Sequence, residues 1–448
     1  MKCALKNRVL RMTITAVVIA ACLAVALLAS AGTKKASAPK VDLTRLVWPP
    51  PPDEPRIRFL GQYNGELELM GMKPPKAGIL ERIAGVSISE EERPRLWKPY
   101  GVAADSKGRV YVVDTPQHVV FVFDLESKKV AFRGEKAPAN LTNPIGITVD
   151  DQDRLFVTDS KLHQVTCFSP KGDFIAAFGT KDLDRPAGAA VDSALRRLYV
   201  ADVGKRRIAV FNLDTLKLER YFAEIKNPDD DRTGALTNPN SIAIDPDGLI
   251  YITDAIVPSV FVYDTDGNFV RVWGKRGDGP GMFGRPKGIA IDADGHVYVA
   301  DSQLNRLQVF SAEGKPLLQV GSGGWGPGQF MLMAGVAIDS HNRIIVVDQL
   351  PARIEVFRYV TDAEVKRKRE SPDKPEPAIA PAEPVKEPVI EVVKKPAAPS
   401  GPTIEELQKE LADLKAKLAG QNKNTEGGVT PNGASQPSTP TPDAEKKP

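Results

Sequence analysis

The sequence predicts an all-β fold, a closed array of six similar four-stranded units, and three observations carry that reading. An Asp is followed nine residues later by an aromatic six times in one frame: Asp114/Phe123, Asp159/Phe168, Asp202/Phe211, Asp254/Tyr263, Asp301/Phe310 and Asp348/Phe357. An earlier Asp leads each pair: Asp105, Asp150, Asp192, Asp245, Asp292 and Asp339. The lead is nine residues in five units and ten in the third, where Arg196-Arg197 lengthens the turn. The units recur every 42 to 53 residues, and such a period marks a stacked or circular array of one small unit.

The fifth unit shows what is repeated. It reads Arg285-Pro286-Lys287-Gly288-Ile289-Ala290-Ile291-Asp292, then a turn at Ala293-Asp294-Gly295-His296, then Val297-Tyr298-Val299-Ala300-Asp301. A short connection leads to Leu307-Gln308-Val309-Phe310, and a turn at Glu313-Gly314 leads to Pro316-Leu317-Leu318-Gln319-Val320. These are four short runs rich in β-branched and aromatic residues, punctuated by Gly, Asp and Asn. None is long enough for a helix and none has a 3.6-residue apolar period. Four antiparallel strands of this length make one propeller blade. The first run is nearly all apolar, which predicts an innermost strand buried on both sides.

The motifs Pro-x-Gly-Ile-Ala-Ile-Asp, Gly-x-Val-Tyr-Val-Ala-Asp and Asn305-Arg306-Leu307-Gln308-Val309-Phe310 resemble the NHL repeat. The connections Gly277-Asp278-Gly279-Pro280-Gly281-Met282-Phe283 and Gly324-Trp325-Gly326-Pro327-Gly328-Gln329-Phe330 are similar to its Gly-Pro-Gly-x-Phe linker. The resemblance covers residues 56–360 and implies a six-bladed β-propeller. Copy three lacks the turn Gly and copy six lacks a fourth strand. Upstream lies an unassigned strand, Arg56-Ile57-Arg58-Phe59-Leu60-Gly61-Gln62-Tyr63. It is expected to close the last blade, leaving no open sheet edge.

The ends read differently. Residues 1–12 carry Lys2, Lys6, Arg8 and Arg11 without an acid, and residues 13–31 are uncharged and apolar or small. Residues 1–38 are therefore expected to be a signal peptide or membrane anchor that exports the rest of the protein. Three fates stay open: cleavage after small residues (Ala29-Ser30-Ala31 or Ala36-Ser37-Ala38), lipidation of Cys22 in the lipobox-like Ile19-Ala20-Ala21-Cys22, or retention as an anchor. Each places the ring outside the cytoplasm, and the lipobox candidate suits a bacterial cell envelope. Residues 39–55, with Trp48-Pro49-Pro50-Pro51-Pro52, are expected to be a stiff extended spacer. Residues 361–448 are rich in Lys, Glu, Pro and Ala and are expected to be a disordered tail. Within that tail Ile404, Leu407, Leu411, Leu414 and Leu418 alternate three and four apart, with Thr403 and Glu406 fitting a capping box. They predict a short helix over 403–419 capable of weak self-association.

Cys167 is the one cysteine outside the export segment, so the ring has no internal disulfide. There is no Cys-x-x-Cys-His for haem attachment, no Gly-x-Ser-x-Gly elbow and no phosphate-cradling Gly loop. An Asp that recurs in all six units is expected to cap a turn. Function is expected where the units differ, on the face formed by the loops between strands two and three and between blades.

Those loops contain His118, His163, Lys205, Arg206, Arg207, Ile256, Val257, Asn305, Arg306 and Arg353, and Lys287 lies close by. Two of only four His, His118 and His163, share a register in adjacent units. Residues 157–165 also resemble a zinc-binding segment of peptidyl-α-hydroxyglycine lyase, itself a six-bladed propeller. A catalytic zinc site needs a third protein ligand, and His296 and His341 fall on the opposite face. Calcium-dependent lactonase propellers use convergent Asn, Asp and Glu at the channel, for which Asn240 is the candidate here. No cofactor is the expectation, with zinc or calcium as the alternative.

Lys205, Arg206, Arg207, Lys287, Arg306 and Arg353 make part of the face basic. Arg207, Arg306 and Arg353 also share one register, which suits bridges within the ring. Some NHL propellers bind RNA through such a face. An exported protein with net charge +3 and no aromatic platform among its basic loops argues against nucleic acid. The apolar loop Ala255-Ile256-Val257-Pro258 beside positive charge suits a protein interface or an anionic envelope polymer. The expected function is a membrane-tethered binding or scaffold module, the alternative a metal-dependent lyase or lactonase on the same face.

Overall fold

The computed structural model describes residues 42–71, 94–224 and 234–370. The expectations for residues 1–38, including the lipidation of Cys22, and for the helix at 403–419 lie outside the described residues. Among the described residues no helix is long and apolar enough to cross a membrane.

Six antiparallel sheets form a closed ring. Blades 1 to 5 span residues 99–133, 144–178, 186–222, 239–273 and 286–320, each with four strands in sequential order. The innermost strands contact one another in the same order, and that of blade 6 (Met333–Ile338) returns to that of blade 1 (Pro99–Ala104). The segment after blade 5 supplies only three strands to blade 6. Its outer strand is β2 (Ile57–Tyr63), which pairs antiparallel with Arg353–Tyr359 in the register Ile57↔Tyr359, Phe59↔Phe357 and Tyr63↔Ile354. A further strand β1 (Val47–Trp48) covers the edge of β2.

The core is divided into six clusters, each between two neighbouring blades. Each cluster needs both of its blades, so apolar burial holds the ring shut. The expectation about burial is narrowed here, and that about the spacer is corrected. The strands buried throughout are the second ones, such as Val110–Asp114 and Ile250–Asp254. They have a strand on either side and a blade on either face. The innermost strand of blade 5 (Pro286–Ile291) is buried at all but its last residue, as expected, whereas those of blades 1 and 4 are partly exposed where they line the channel.

The spacer is corrected outright. Instead of extending, residues 42–56 fold back: Arg56 N donates to Trp48 O at 2.7 Å, and the Trp48 ring meets Phe357 edge-on at 5.6 Å. Structure also continues past residue 360, where a disordered tail was expected. Helix α1 (Asp362–Glu370) begins with a capping box in which Thr361 N donates to Glu364 Oε2 and Glu364 N to Thr361 Oγ1. It buries Val365 and ties back to the N-terminal segment through Asp362 with Arg56 and Arg369 with Glu54.

The channel is nearly closed. Gly101, Gly146, Gly188, Gly288 and Gly335 stand in one register, with Ser241 completing the ring. A Cβ on any of the five glycines would meet the backbone of the neighbouring blade, for instance 2.5 Å from Ile145 O at Gly101 and from Ala334 O at Gly288. Glycine is required there so that six strands can converge. The cavity left among them is about 40 Å3, room for roughly one water.

Candidate functional site

The recurring Asp residues are structural, as their periodicity implies. The leading Asp of each blade caps the turn between strands one and two. Asp105, for example, accepts from Lys107 N, Arg109 N and Tyr111 Oη at 2.9 to 3.0 Å. The second Asp of each pair is wholly buried and ties two loops together. Asp254 accepts from Thr237 N and Asn238 N, which enter the blade, and from Ile256 N and Val257 N, which come after strand two. These contacts hold the loops of one face in register and leave both Asp254 oxygens engaged.

The two His owe their common register to the same loop. His118, His163, Arg206, Asn305 and Ala352 occupy the fourth position after the buried Asp, and all have φ between 52° and 59°. Left-handed backbone favours Asn and His among residues larger than glycine, so the recurrence reflects a turn position. Both rings are exposed, and His163 Nδ1 contacts the Asp184 carbonyl. Among the described residues no group of three or more His, Cys, Asp and Glu is placed to hold a metal.

The basic residues divide into two groups. Arg207 stacks on Tyr221 at 3.5 Å and donates to Asp182 O, with Asp202 and Glu224 beside it. Arg306 donates to Asp278 O and Gly279 O. Arg353 is 5% exposed and donates to Trp325 O, Gly326 O, Gln329 O and Gln62 Oε1. These three were expected on the partner face, with bridging within the ring as the other reading of their shared register, and their guanidinium groups do bridge, clamping the connections between blades. Asn305 is also turned inward, its amide reaching Met331 O and Ser302 O. Lys205, Arg206, Ile256 and Val257 do face solvent.

Lys287 differs from both groups. It is 7% exposed, beside the channel entrance, where it is the second residue of its strand. Its Nζ lies 3.3 Å from Gln349 Oε1 and 5.3 Å from the centre of the Tyr100 ring. Burial pushes its pKa down to about 8, and the charges of Arg285 and Lys98 push the same way. The Tyr100 phenol is raised by its own burial, opposed by a hydrogen bond with Asn240 and the charge of Arg285. Asn240, expected alone at the entrance, is therefore one of several polar groups converging there.

Sequence reasoning missed the apolar part of this face. Trp97 is 63% exposed, Trp325 62% and Leu350 54%. Trp97 leads into blade 1, Trp325 lies in the connection into blade 6, and Leu350 is in the loop after strand two of blade 6. Asn64 joins the segments of Trp97 and Leu350 by donating to Leu96 O and Ala352 O, and Arg353, next to Ala352, donates to Trp325 O, so the three segments meet beside blade 6. Its signal was a Trp at two connections that the repeat does not require to be aromatic.

A profile of the NHL repeat matches residues 141–168, the first three strands of blade 2. The chain is a six-bladed NHL-repeat propeller. A profile of the 6-bladed beta-propeller family DUF5128 matches this propeller at residues 235–296 and 293–375. No curated protein shows significant sequence similarity to it. Among solved structures, a streptogramin B lyase is similar over 59% of this chain and 94% of its own, at 13% identity and a TM-score of 0.46. A gluconolactonase of Xanthomonas campestris is similar over 59% and 87%, at 16% identity and a TM-score of 0.45. A component of a nidogen/laminin complex is similar over 52% and 86%, at 18% identity and a TM-score of 0.40. At such identities the likeness is one of fold.

Proposed function

We propose that the propeller is a binding or scaffold module, held outside the cytoplasm by its N-terminal segment, that presents its inter-blade face to a protein partner. The observation that carries this reading is the exposure of Trp97, Trp325 and Leu350 at one junction of that face. Exposed tryptophan on a face that also carries cationic groups is the composition of interface hot spots. Lys98 and Arg285 are exposed beside the channel entrance on this face, as are Lys205 and Arg206 on a loop of blade 3. A single large aromatic on the surface is ordinary, but two Trp and a Leu brought together from separate segments are not.

The test is capture of cross-linked partners from detergent-solubilised envelopes with the wild-type protein, Trp97→Ala/Trp325→Ala, and Lys205→Glu/Arg206→Glu. The reading expects one stoichiometric protein, lost from the Trp variant and weakened in the charge variant, with all three proteins melting alike. Equal capture by all three would mean that the partner uses another surface. A metal-dependent lyase or lactonase on the same face is the alternative. It expects stoichiometric metal in the purified ring and no dependence of catalysis on the two Trp.

A further inference from the structure

We propose that the channel entrance beside blades 1, 5 and 6 is a binding site for a carboxylate group, received between Lys287 and Gln349. The proposal rests on the reading of this face as the binding face and names the chemistry that its partner brings.

The groups at the entrance are donors in excess. Lys287 is buried, and among the described residues no carboxylate pairs with it. The neutral oxygen of Gln349 at 3.3 Å is its hydrogen-bond partner. Gln349 is 4% exposed, and its Nε2 is buried without a partner. A buried ammonium and a buried N–H2 left unfilled side by side each carry a desolvation cost, and one acceptor bearing negative charge would satisfy both. Lys98 and Arg285 stand at the rim and add positive potential without closing over the site.

The type of anion is set by size and charge. One cation is buried, so one negative charge is matched at depth. The cavity below is only about 40 Å3, so the group that enters must be small and end there. A planar carboxylate can accept from the ammonium with one oxygen and from the amide with the other. Trp97 and Leu350 adjoin Lys98 and Gln349 in sequence and are exposed. The remainder of the ligand therefore meets an apolar surface, which suits an acidic side group or the C-terminal carboxylate of a protein partner.

The full-length protein in detergent is titrated with acetate at constant ionic strength in chloride, and with inorganic phosphate as comparator. Two readouts are followed: the melting temperature and the uptake of protons at pH 8. Acetate is expected to bind saturably and take up protons, because the carboxylate raises the pKa of a lysine that burial, and then Arg285 and Lys98, otherwise depress. Lys287→Met is expected to weaken binding by about tenfold or more and to abolish the uptake. Gln349→Glu places a competing carboxylate beside Lys287 and is expected to do the same without loss of fold. Acetate binding unchanged in both variants, or absent from the wild type, overturns the site. Phosphate binding as well as acetate overturns its assignment to carboxylates. Partner capture that still depends on Trp97 and Trp325 when acetate fails would leave the face standing and remove this site alone.

Discussion

Arg353 Nη2 lies 2.6 Å from Glu355 Oε1 inside blade 6, and both side chains are almost wholly buried. The two groups touch off the hydrogen-bond line, since Glu355 Oε1 has no aligned donor. Burial pushes Glu355 up to about 8, and the charge of Arg353 opposes it. Arg353 also bonds the last inter-blade connection and Gln62 of β2. One side chain thus joins three segments that are distant in sequence.

Removing Arg353 should therefore unfold the ring before it affects any partner. Arg353→Met is expected to cost about 3–5 kcal/mol in denaturant unfolding, because the carbonyls it bonds are left buried without their charged donor. Arg353→Met/Glu355→Gln should recover part of that loss. Stability equal to wild type in the single variant would show that the pair holds nothing together.

Lys287 makes a prediction about pH. Its folded pKa of about 8 lies below the ordinary 10.5, so between these values the unfolded protein binds more protons. The destabilisation is complete below about pH 8 and fades as pH rises towards 10.5. Lys287→Met is expected to be more stable at pH 7 by something on the order of 3 kcal/mol at most, with the advantage shrinking at pH 10. Thermal melts of both proteins across this range give the answer, and a constant difference would refute the sign.

Strand β2 completes the last sheet, so deleting residues 56–63 exposes the edge of Arg353–Tyr359 and uncovers Phe357. The truncated protein is expected to lose its single cooperative transition in calorimetry. A sharp melt near the wild-type temperature would show that the ring closes without it.

Asp254 tests the role of the repeated carboxylates. Asp254→Ala leaves four backbone N–H groups without their acceptor and is expected to cost about 3 kcal/mol. Asp254→Asn keeps one acceptor oxygen and should cost less. Urea unfolding of the three proteins distinguishes this from a catalytic role, which would leave stability nearly unchanged.

The number of blades, the strands in each and the turn role of the twelve Asp were legible in the sequence, because repetition exposes whatever each unit needs. The unpaired strand at 56–63 was legible too, since blade 6 runs out of strands at Tyr359. The site was legible only in part. Lys287, Asn240, Lys205 and Ile256 could be placed on the inter-blade face from their loop positions alone. Whether a given cation is free could not be read there, because it depends on carbonyls and carboxylates brought from other blades. Arg206 occupies the left-handed turn position of its loop, and Arg353 comes one residue after that position in its own. Three carbonyls of the preceding connection, Gln62 and Glu355 enclose Arg353, while Arg206 points to solvent. Likewise, Lys287 and Gln349 are 62 residues apart in sequence, and only closure of the ring sets the ammonium against the amide beside Tyr100. Local sequence determined the blade, and ring closure decided which polar groups were left without a partner.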